Sequence, residues 1–368
     1  MNLALVLNHR CNLRCRYCYT GRKLDRAMTL ATAYRAVDFG LERAAGAELV
    51  LSFFGGEPML EIERMEAVAH YARDHAQRRS ARVAFSISTN GTLLDDRRVC
   101  FLRDFAVHVQ VSVDGIAAAQ DLARPFADGA PSFAVVDTNL HRLQSEDLLH
   151  QVVAVMTPET SSHLAESLRY LTGLGAVEIY LAPNYLADWT HAACDRFEAD
   201  FRRLAEVYAE RFRAGDMRRV DPLYGKIVSH LVLGRQTPRR CGFGLDELAV
   251  APSGNIYPCD RVVGEDTRED LWLGHVERGL DEARAHNLQE RRTAQDPECE
   301  NCELGARCST WCGCAQLETT GQLGLVSPLF CWFERLFIAE ADRLANALHA
   351  ERNPTFLREF YRHVLIRK

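Results

Sequence analysis

The chain has 368 residues, a net charge of −6 and 47% hydrophobic residues, a composition typical of a soluble globular protein. The acidic balance gives no general reason to expect nucleic acid or an anionic membrane as a partner. The first ten residues lack the basic segment of a signal peptide, and no run approaches the ~18 apolar residues of a membrane span. The sequence therefore predicts a cytoplasmic protein.

Short apolar runs in the first half of the chain predict the buried strands of a parallel sheet. There are six, at 3–8, 49–54, 83–88, 107–113, 151–156 and 177–182. Amphipathic segments predict helices between them, at 29–45, 60–78, 93–104, 132–147 and 160–173. This alternation is typical of right-handed βαβ units, two short of an eight-stranded barrel. The predicted fold class is α/β, with a partial (β/α)6 TIM-like barrel.

The second half of the chain has a different pattern. A long polar helix is predicted at 191–214, and from about residue 220 Gly, Pro and Cys interrupt short strands and turns. Helices return at 331–350 and 355–366. We therefore expect a barrel over 1–215, a cysteine-rich extension over 216–335, and C-terminal helices over 336–368 packed on the same body.

Thirteen cysteines are many for a reducing compartment, where disulfides rarely persist. The number is odd and most of the cysteines are clustered, which favours metal ligation over a disulfide framework. Cys11, Cys15 and Cys18 follow the first predicted strand, at the barrel end that carries active sites. A structural zinc site or an ordinary iron–sulfur cluster takes four protein ligands, so three thiolates leave one position open. The alternatives are a chance trio, or a zinc loop completed by a distant His or Cys.

Polar and glycine-rich segments follow the next three strands. They are Gly55-Gly56-Glu57-Pro58, Ser88-Thr89-Asn90-Gly91 and Ser112-Val113-Asp114-Gly115. Glycines allow the backbone to approach a ligand closely, and Glu57 can accept a hydrogen bond from an ammonium group. Each segment alone is equally compatible with an ordinary turn.

The cysteine loop, with Tyr17 just before its third cysteine, resembles the signature of the radical S-adenosylmethionine (SAM) superfamily. The three strand-end segments resemble further elements of the same superfamily. The resemblance implies a 4Fe–4S cluster on the three cysteines, whose fourth iron binds the amino and carboxylate groups of SAM. Cleavage of SAM then yields a 5′-deoxyadenosyl radical that abstracts hydrogen from the substrate. The implied SAM-binding residues are Tyr17, Gly55, Gly56, Glu57, Ser88, Asn90, Ser112 and Arg124.

The later cysteines also form an ordered pattern. The C-x2-C pair of Cys299 and Cys302 would by itself suit zinc. The full order of seven resembles the SPASM extension of radical SAM enzymes, which implies two auxiliary clusters and three 4Fe–4S clusters in all. By this resemblance the outer cluster is held by Cys299, Cys302, Cys308 and Cys331, and the inner one by Cys241, Cys259 and Cys312.

The inner cluster has one cysteine fewer than in some SPASM relatives. Those relatives, anaerobic sulfatase-maturating enzymes among them, have an eighth cysteine about six positions before the one matching Cys241, and 234–240 contains none. The inner cluster therefore keeps an open iron, or Cys314 or Cys194 fills it.

Asp260 matches the position of a catalytic base in the sulfatase-maturating relatives. Beside a cluster, its carboxylate would accept the proton released as a substrate radical is oxidised. The alternative is an aspartate that caps a turn or pairs with Arg261, and the residues alone leave both open.

The resemblance implies an oxidoreductase that modifies a peptide or protein side chain, supplied with electrons by a flavodoxin- or ferredoxin-type donor. We expect a thioether or carbon–carbon crosslink in a ribosomal peptide, because the missing cysteine departs from the sulfatase-maturating pattern. The first predicted strand begins at residue 3, so we expect a precursor peptide to be recognised by the barrel and extension or by a separate leader-binding protein. The alternatives are a formylglycine-forming sulfatase-maturating enzyme, a small-molecule radical SAM dehydrogenase, and a non-catalytic metal-binding scaffold.

Overall fold

The computed structural model describes residues 1–231, 241–293 and 296–365. The segment 234–240, where the eighth cysteine was sought, lies outside the described residues. Contacts divide the chain into two compact units. The described part of the first unit is 1–112, 124–150 and 241–293, and that of the second is 113–123, 151–231 and 296–365.

Within these described ranges the elements follow one another in this order. The strands are β1 (Asn2–Val6), β2 (Glu48–Phe54), β3 (Arg82–Thr89), β4 (His108–Ser112), β5 (Gln151–Met156), β6 (Glu178–Pro183), β7 (Arg219–Asp221), β8 (Glu247–Val250), β9 (Asn255–Tyr257), β10 (Gly274–His275) and β11 (Gly279–Leu280). The α-helices are α1 (Leu30–Ala44), α2 (Ile62–Arg78), α3 (Asp96–Asp104), α4 (Ala117–Ala123), α5 (Phe133–Ser145), α6 (Leu164–Gly173), α7 (His191–Arg213), α8 (Leu223–Leu231), α9 (Glu282–Thr293), α10 (Pro297–Glu300), α11 (Gly313–Thr320), α12 (Pro328–Ala350) and α13 (Pro354–Leu365).

The first unit is built on a sheet whose central strand is β1. Strands β1 to β4 pair in parallel in chain order, and β8 joins the other side of β1, also in parallel. Strands β9, β10 and β11 extend that side with antiparallel pairs. Four of the five β1 residues are buried, because an apolar run in the middle of a parallel sheet is covered on both faces.

The second unit contains the parallel strands β5, β6 and β7 together with the two longest described helices. Helix α7 presents Phe197 and Phe201 to Phe333 and Phe337 of α12, and all four rings are at most 2% exposed. The 3.6-residue spacing of aromatics along both helices produces this contact.

The α/β class and the parallel sheet are as predicted, and each of the six predicted strands is present. Three parts of the structure lie outside the prediction. Strand β7 extends the parallel order beyond β6, β8 pairs in parallel with β1, and the short helix α4 follows β4. The two strands have three and four residues, too few for an apolar pattern to identify. No described helix is long and apolar enough to cross a membrane.

Candidate cluster and cofactor site

The loop after β1 is held against the segment after β2 by two backbone hydrogen bonds, and two glycines there allow the close approach. Gly56 N donates to the carbonyl oxygen of Asn8 at 2.9 Å, and Glu57 N donates to that of Arg10 at 2.8 Å. A Cβ at Gly56 would lie 2.1 Å from the Arg10 carbonyl oxygen, and one at Gly55, where φ is +142°, would lie 2.5 Å from that of Asn8. The backbone leading to Cys11 therefore approaches so closely that only glycine fits here.

Glu57 connects the ends of β2 and β3. Its side chain is fully buried. One carboxylate oxygen accepts from Thr89 Oγ1 at 2.7 Å and from Met59 N at 3.0 Å, and the other accepts from Asn90 N at 2.7 Å. Burial raises the pKa of Glu57, against the opposing effect of these hydrogen bonds. These partners are fixed by the fold, and contact of Glu57 with SAM stays a prediction.

Asn90 links the end of β3 to the cysteine loop. Its Nδ2 donates to Asn12 Oδ1 at 2.9 Å and lies 3.7 Å from Cys11 Sγ. Its Oδ1 accepts from the backbone N of Thr92 at 3.0 Å. Asn90 therefore helps to fix the orientation of the first cysteine.

Ser88 and Ser112 lie on the neighbouring strands of the same sheet. Ser88 Oγ accepts from Gln110 Nε2 at 2.9 Å, and Ser112 is the last residue of β4. The carboxyl ends of parallel strands meet at one edge of a sheet, so Ser112 lies at the same edge as Glu57 and Asn90.

Donor groups point at each of the three clustered thiols. Leu13 N donates to Cys11 Sγ at 3.4 Å, Lys23 Nζ to Cys18 Sγ at 2.9 Å, and Arg124 Nη1 lies 4.0 Å from Cys15 Sγ. The Arg124 guanidinium also lies over the Tyr17 ring, 5.1 Å from its centroid. A set of partly buried N–H donors around sulfur atoms fits a group bound through thiolates, which carry negative charge.

The thiols differ in their electrostatic surroundings. Burial raises the pKa of Cys11 to about 11, and the neighbouring Glu57 adds to this effect. Burial also acts to raise the pKa of Cys18, but hydrogen bonds from Lys23 and Thr20 and the Lys23 charge bring it below its usual value. Lys23 was not predicted. The signal in the sequence is a lone lysine five residues after the third cysteine, too common a pattern to single out.

Asp260 lies in the first unit, beside the two glycines that follow β2. A small pocket there is lined by Asp260, Gly55, Gly56, His9 and Thr20. Asp260 Oδ1 accepts from the Cys259 thiol at 3.2 Å and from Arg261 N at 2.9 Å. The fold thus brings a carboxylate to the segment predicted to bind SAM.

Cys241 and Cys259 both lie in the first unit, on segments that a backbone hydrogen bond joins. Gly244 N donates to the Pro258 carbonyl oxygen at 2.9 Å, which joins the turn after Cys241 to the segment before Cys259. Arg292 of α9 donates to the carbonyl oxygen of Cys241. Both belong to the predicted inner set, whose third member, Cys312, lies in the second unit.

The predicted outer set lies within the second unit. The pKa of Cys299 is raised by burial first, then by Asp296, and further by Cys331 and Cys302, which are close enough to interact with it. Arg335 Nε donates to Cys331 Sγ at 3.4 Å. Among the residues that the structure describes, no three His, Cys, Asp or Glu side chains form a group that could hold a single metal ion.

A buried ion pair supports the loop before Cys308. Lys226 Nζ of α8 lies 2.6 Å from Glu334 Oε2 of α12, and both side chains are at most 6% exposed. Lys226 also donates to Ser309 Oγ and to the Arg307 carbonyl oxygen, each at 2.9 Å. The pair therefore anchors both residues that flank Cys308.

Residues 5–171 match the model of the radical SAM superfamily. The chain contains a radical SAM domain. Such a domain implies a 4Fe–4S cluster with SAM, and the thiols, their donors and the glycines described above fit that group. Homologues of this chain include anaerobic sulfatase-maturating enzymes and PqqA peptide cyclases, and its cysteine-rich second half is consistent with a SPASM-type maturase.

Three relatives illustrate how far the similarity extends. An uncharacterised protein of Methanocaldococcus jannaschii is 29% identical over 178 residues. The match covers 48% of this chain and 60% of that protein, so this chain spans less than two thirds of that relative's length. A cysteine-type anaerobic sulfatase-maturating enzyme of Clostridium novyi is 23% identical, covering 82% of this chain and 84% of its own. A PqqA peptide cyclase of Gluconobacter oxydans is 26% identical, covering 89% and 90%.

A solved structure, anSMEcpe with bound AdoMet, superposes with a TM-score of 0.80 at 20% identity. The superposition covers 95% of this chain and 99% of the other. This likeness confirms the predicted fold, a partial TIM-like barrel with a cysteine-rich extension.

Proposed function

We propose that this protein is a radical SAM enzyme that oxidises a side chain of a peptide or protein. The observation that carries the proposal is the pocket in which Asp260 faces Gly55 and Gly56. The Asp260 carboxylate lies beside the segment expected to bind SAM, which supports a role for it as proton acceptor. Relatives named as a sulfatase-maturating enzyme and a peptide cyclase, which align over more than four fifths of their lengths, support a peptide or protein substrate.

Each part of the site has a task in this proposal. Cys11, Cys15 and Cys18 hold one 4Fe–4S cluster, and the seven later cysteines hold two more. When bound, the first cluster with SAM supplies a radical that abstracts a hydrogen atom, and the auxiliary clusters supply an electron acceptor. Arg124 and the backbone at Gly55 and Gly56 orient SAM, since a guanidinium binds carboxylates well and the glycines allow close approach.

Asp260 takes up the proton in this reaction. Forming a crosslink removes two hydrogen atoms from the peptide, one as an atom and one as a proton plus an electron. The Asp260 carboxylate accepts the proton, and it is already oriented by its bond from Arg261 N. Electrons for SAM cleavage come from a flavodoxin- or ferredoxin-type donor, and the precursor peptide is recognised by the barrel and extension or by a separate leader-binding protein.

The preferred product is a crosslinked ribosomal peptide, because 234–240 lacks the cysteine found in sulfatase-maturating relatives. Formylglycine is the second candidate. It is favoured by Asp260, which stands where those relatives have their base, and by similarity to a serine-type sulfatase-maturating enzyme of Klebsiella aerogenes over 93% of this chain.

The first experiment measures 5′-deoxyadenosine. Anaerobically reconstituted protein with SAM and dithionite is expected to form it, and the Cys15→Ala variant is not. Cys100→Ala, which changes an exposed cysteine far in sequence from the trio, serves as the matched control and is expected to behave like wild type. Absence of product from fully iron-loaded wild type would contradict the assignment.

A second experiment separates the two products. The enzyme is incubated with a synthetic peptide from a candidate precursor and with a sulfatase-derived peptide that contains cysteine or serine. A crosslink is detected as the loss of two hydrogens without reaction with a hydrazide, whereas formylglycine is an aldehyde that the hydrazide captures. Hydrazide capture only of the sulfatase peptide would replace the crosslinking proposal by the second candidate.

A further inference from the structure

A cavity of about 470 Å³ lies on strands β9, β10 and β11, entirely within the first unit. Its size is in the range of ligand-binding pockets. The floor is a row of residues that pair across the three strands, Asn255, His275 and Gly279. A Cβ at Gly279 would meet nothing within 4 Å, so the missing side chain leaves this row open. The cavity uses none of the residues assigned above to the cluster or to SAM.

Trp272 lines the cavity and is held in place from behind. Its Nε1 donates to the hydroxyl oxygen of Tyr257, which in turn donates to Asp266 Oδ1 at 2.9 Å. Tyr257 and Asp266 are both buried. The indole ring is therefore fixed before a ligand arrives, which lowers the entropic cost of binding.

Arg284, in the first turn of α9, is also fixed by the protein. Its Nη1 donates to the carbonyl oxygens of Glu269 and Trp272, each at 3.0 Å, and its Nε lies 3.7 Å from Asp281 Oδ2. Asp281, the acidic residue of the lining, also accepts from Arg284 N at 3.1 Å. None of the residues that the structure describes accepts from Arg284 Nη2, so this donor remains for a ligand.

Arg278 adds a second guanidinium group to the lining. It lies in the turn between β10 and β11, its side chain is exposed, and within the described ranges that side chain has no hydrogen-bond or ion-pair partner. His275 adds no charge, because Nε2 donates to the Ser253 carbonyl oxygen at 3.0 Å while Nδ1 accepts from Glu277 N at 3.2 Å. The cavity is therefore cationic, on a chain whose net charge is −6.

We propose that this cavity binds acidic side chains of the peptide substrate. The inference rests on the proposed function and deepens it by naming a recognition site for the peptide. Arg278 and Arg284 can each bind a carboxylate, and an acidic segment supplies several, whereas a chain terminus supplies one. The Trp272 ring packs against the apolar part of the same segment. Since the chain as a whole is acidic, its local positive charge selects where such a segment docks.

The probe is a fluorescein-labelled, C-terminally amidated hexapeptide of alternating glutamate and valine, which places the glutamates on one side of an extended chain. The matched peptide has glutamine at each glutamate. Binding to the anaerobically reconstituted enzyme is measured by fluorescence anisotropy, without SAM or reductant. Wild type is expected to bind the glutamate peptide about tenfold or more tightly than the glutamine peptide.

Arg278→Ala is expected to weaken binding of the glutamate peptide about tenfold, and Arg278→Glu to weaken it further. Arg78→Ala, which removes an exposed arginine of α2, is the matched control and should bind like wild type. Unlabelled glutamate peptide should change the tryptophan fluorescence of wild type but not that of Trp272→Phe. Equal binding by wild type and Arg278→Ala, or an unchanged signal in Trp272→Phe, would overturn the proposal.

Two further arms test other ligands. A glutamine peptide with an unblocked C-terminus that binds as tightly as the glutamate peptide would assign the cavity to a chain terminus instead. ADP that binds more tightly than the glutamate peptide, with the same loss in Arg278→Ala, would assign it to a phosphate ligand. Either result overturns the proposal.

Folding is controlled by circular dichroism, and if Trp272→Phe does not fold, the Arg278 variants decide the test. Wild type that forms 5′-deoxyadenosine but does not bind the glutamate peptide would overturn this proposal and leave the proposed function intact. Binding with the expected Arg278 dependence, but without 5′-deoxyadenosine, would contradict the proposed function alone. The two failures are therefore distinguishable.

Discussion

The ammonium group of Lys23 lies 2.9 Å from the sulfur of Cys18. Together with Thr20 it counteracts burial, which alone would raise the pKa of this thiol. We expect Lys23→Met to raise the pKa of the Cys18 thiol. In the apoprotein at neutral pH this should slow alkylation of Cys18 by about tenfold for each pKa unit. The measurement is the iodoacetamide labelling rate of the Cys18 peptide against pH. Lys23→Arg retains the charge and should label like wild type. Equal rates in the methionine variant would show that Lys23 does not act on Cys18.

Gly56 should not tolerate a side chain. Its Cβ would meet the Arg10 carbonyl oxygen at 2.1 Å, so the cysteine loop has to move, and overpacking typically costs ~1–3 kcal/mol. We expect Gly56→Ala to lower the unfolding free energy by that amount and to reduce iron retention by the first cluster. Denaturant unfolding of the apoprotein and iron analysis measure both.

Gly173 provides the matched control. It is the last residue of α6, and a Cβ there would meet nothing within 4 Å. Gly173→Ala should be neutral or stabilising by up to ~1 kcal/mol, since alanine favours helix. Comparable destabilisation by the two substitutions would contradict the close-approach argument.

Removing one partner of the buried pair Lys226 and Glu334 should lower the unfolding free energy strongly, whereas replacing both partners by apolar residues should lower it little. Lys226→Met alone leaves a buried carboxylate without its cation and is expected to cost ~3–5 kcal/mol of unfolding free energy. Adding Glu334→Leu should recover most of that loss, because an apolar pair carries no desolvation penalty. Guanidinium unfolding of the apoprotein checks this.

Arg97→Met, at an exposed ion pair of the first unit, is the control and should leave stability nearly unchanged. A double variant less stable than Lys226→Met would show that the charges themselves stabilise the fold.

Asp260→Asn should separate SAM cleavage from product formation. We expect 5′-deoxyadenosine within about twofold of wild type, while modified peptide falls ~10²–10⁴-fold because the proton has no acceptor. Chromatography of both products from one reaction measures the ratio. Asp74→Asn, on the exposed face of α2, should change neither. Unaltered peptide modification in Asp260→Asn would remove this residue from the reaction.

The buried carboxyl group of Asp221 should make the unfolding free energy fall as the pH rises, which is the opposite of the usual effect of an aspartate. Burial raises its pKa in the folded protein, although Gly225 N donates to its carboxylate at 2.9 Å. The folded state therefore binds the proton more tightly than the unfolded state, and stability falls as pH rises from about 4 to the folded pKa. Asp221→Asn keeps the acceptor oxygen and removes this penalty. Its unfolding free energy should match wild type at acidic pH and exceed it at neutral pH. Parallel pH profiles would rule out the effect.

The sequence by itself determined the α/β class and the six principal strands, and it allowed the cysteine loop to be recognised by its resemblance to the radical SAM signature. These depend on local patterns, since apolar runs identify buried strands and a short cysteine spacing is a property of one segment. The grouping of the three strand-end segments could also be predicted, because parallel strands bring their carboxyl ends to one edge of a sheet.

The tertiary structure alone decided which distant groups meet. Lys23 beside Cys18, Thr89 and Asn90 on the carboxylate of Glu57, and β8 paired with β1 are contacts that no local pattern encodes. Cys314 and Cys194 look alike as spare thiols in the sequence, but in the structure Cys314 Sγ lies 3.3 Å from Cys312 Sγ, whereas Cys194 Sγ lies 4.0 Å from the Trp189 carbonyl oxygen. The physical reason is that side-chain distances result from packing the whole chain, whereas hydrophobic periodicity reports only which face of each element is buried.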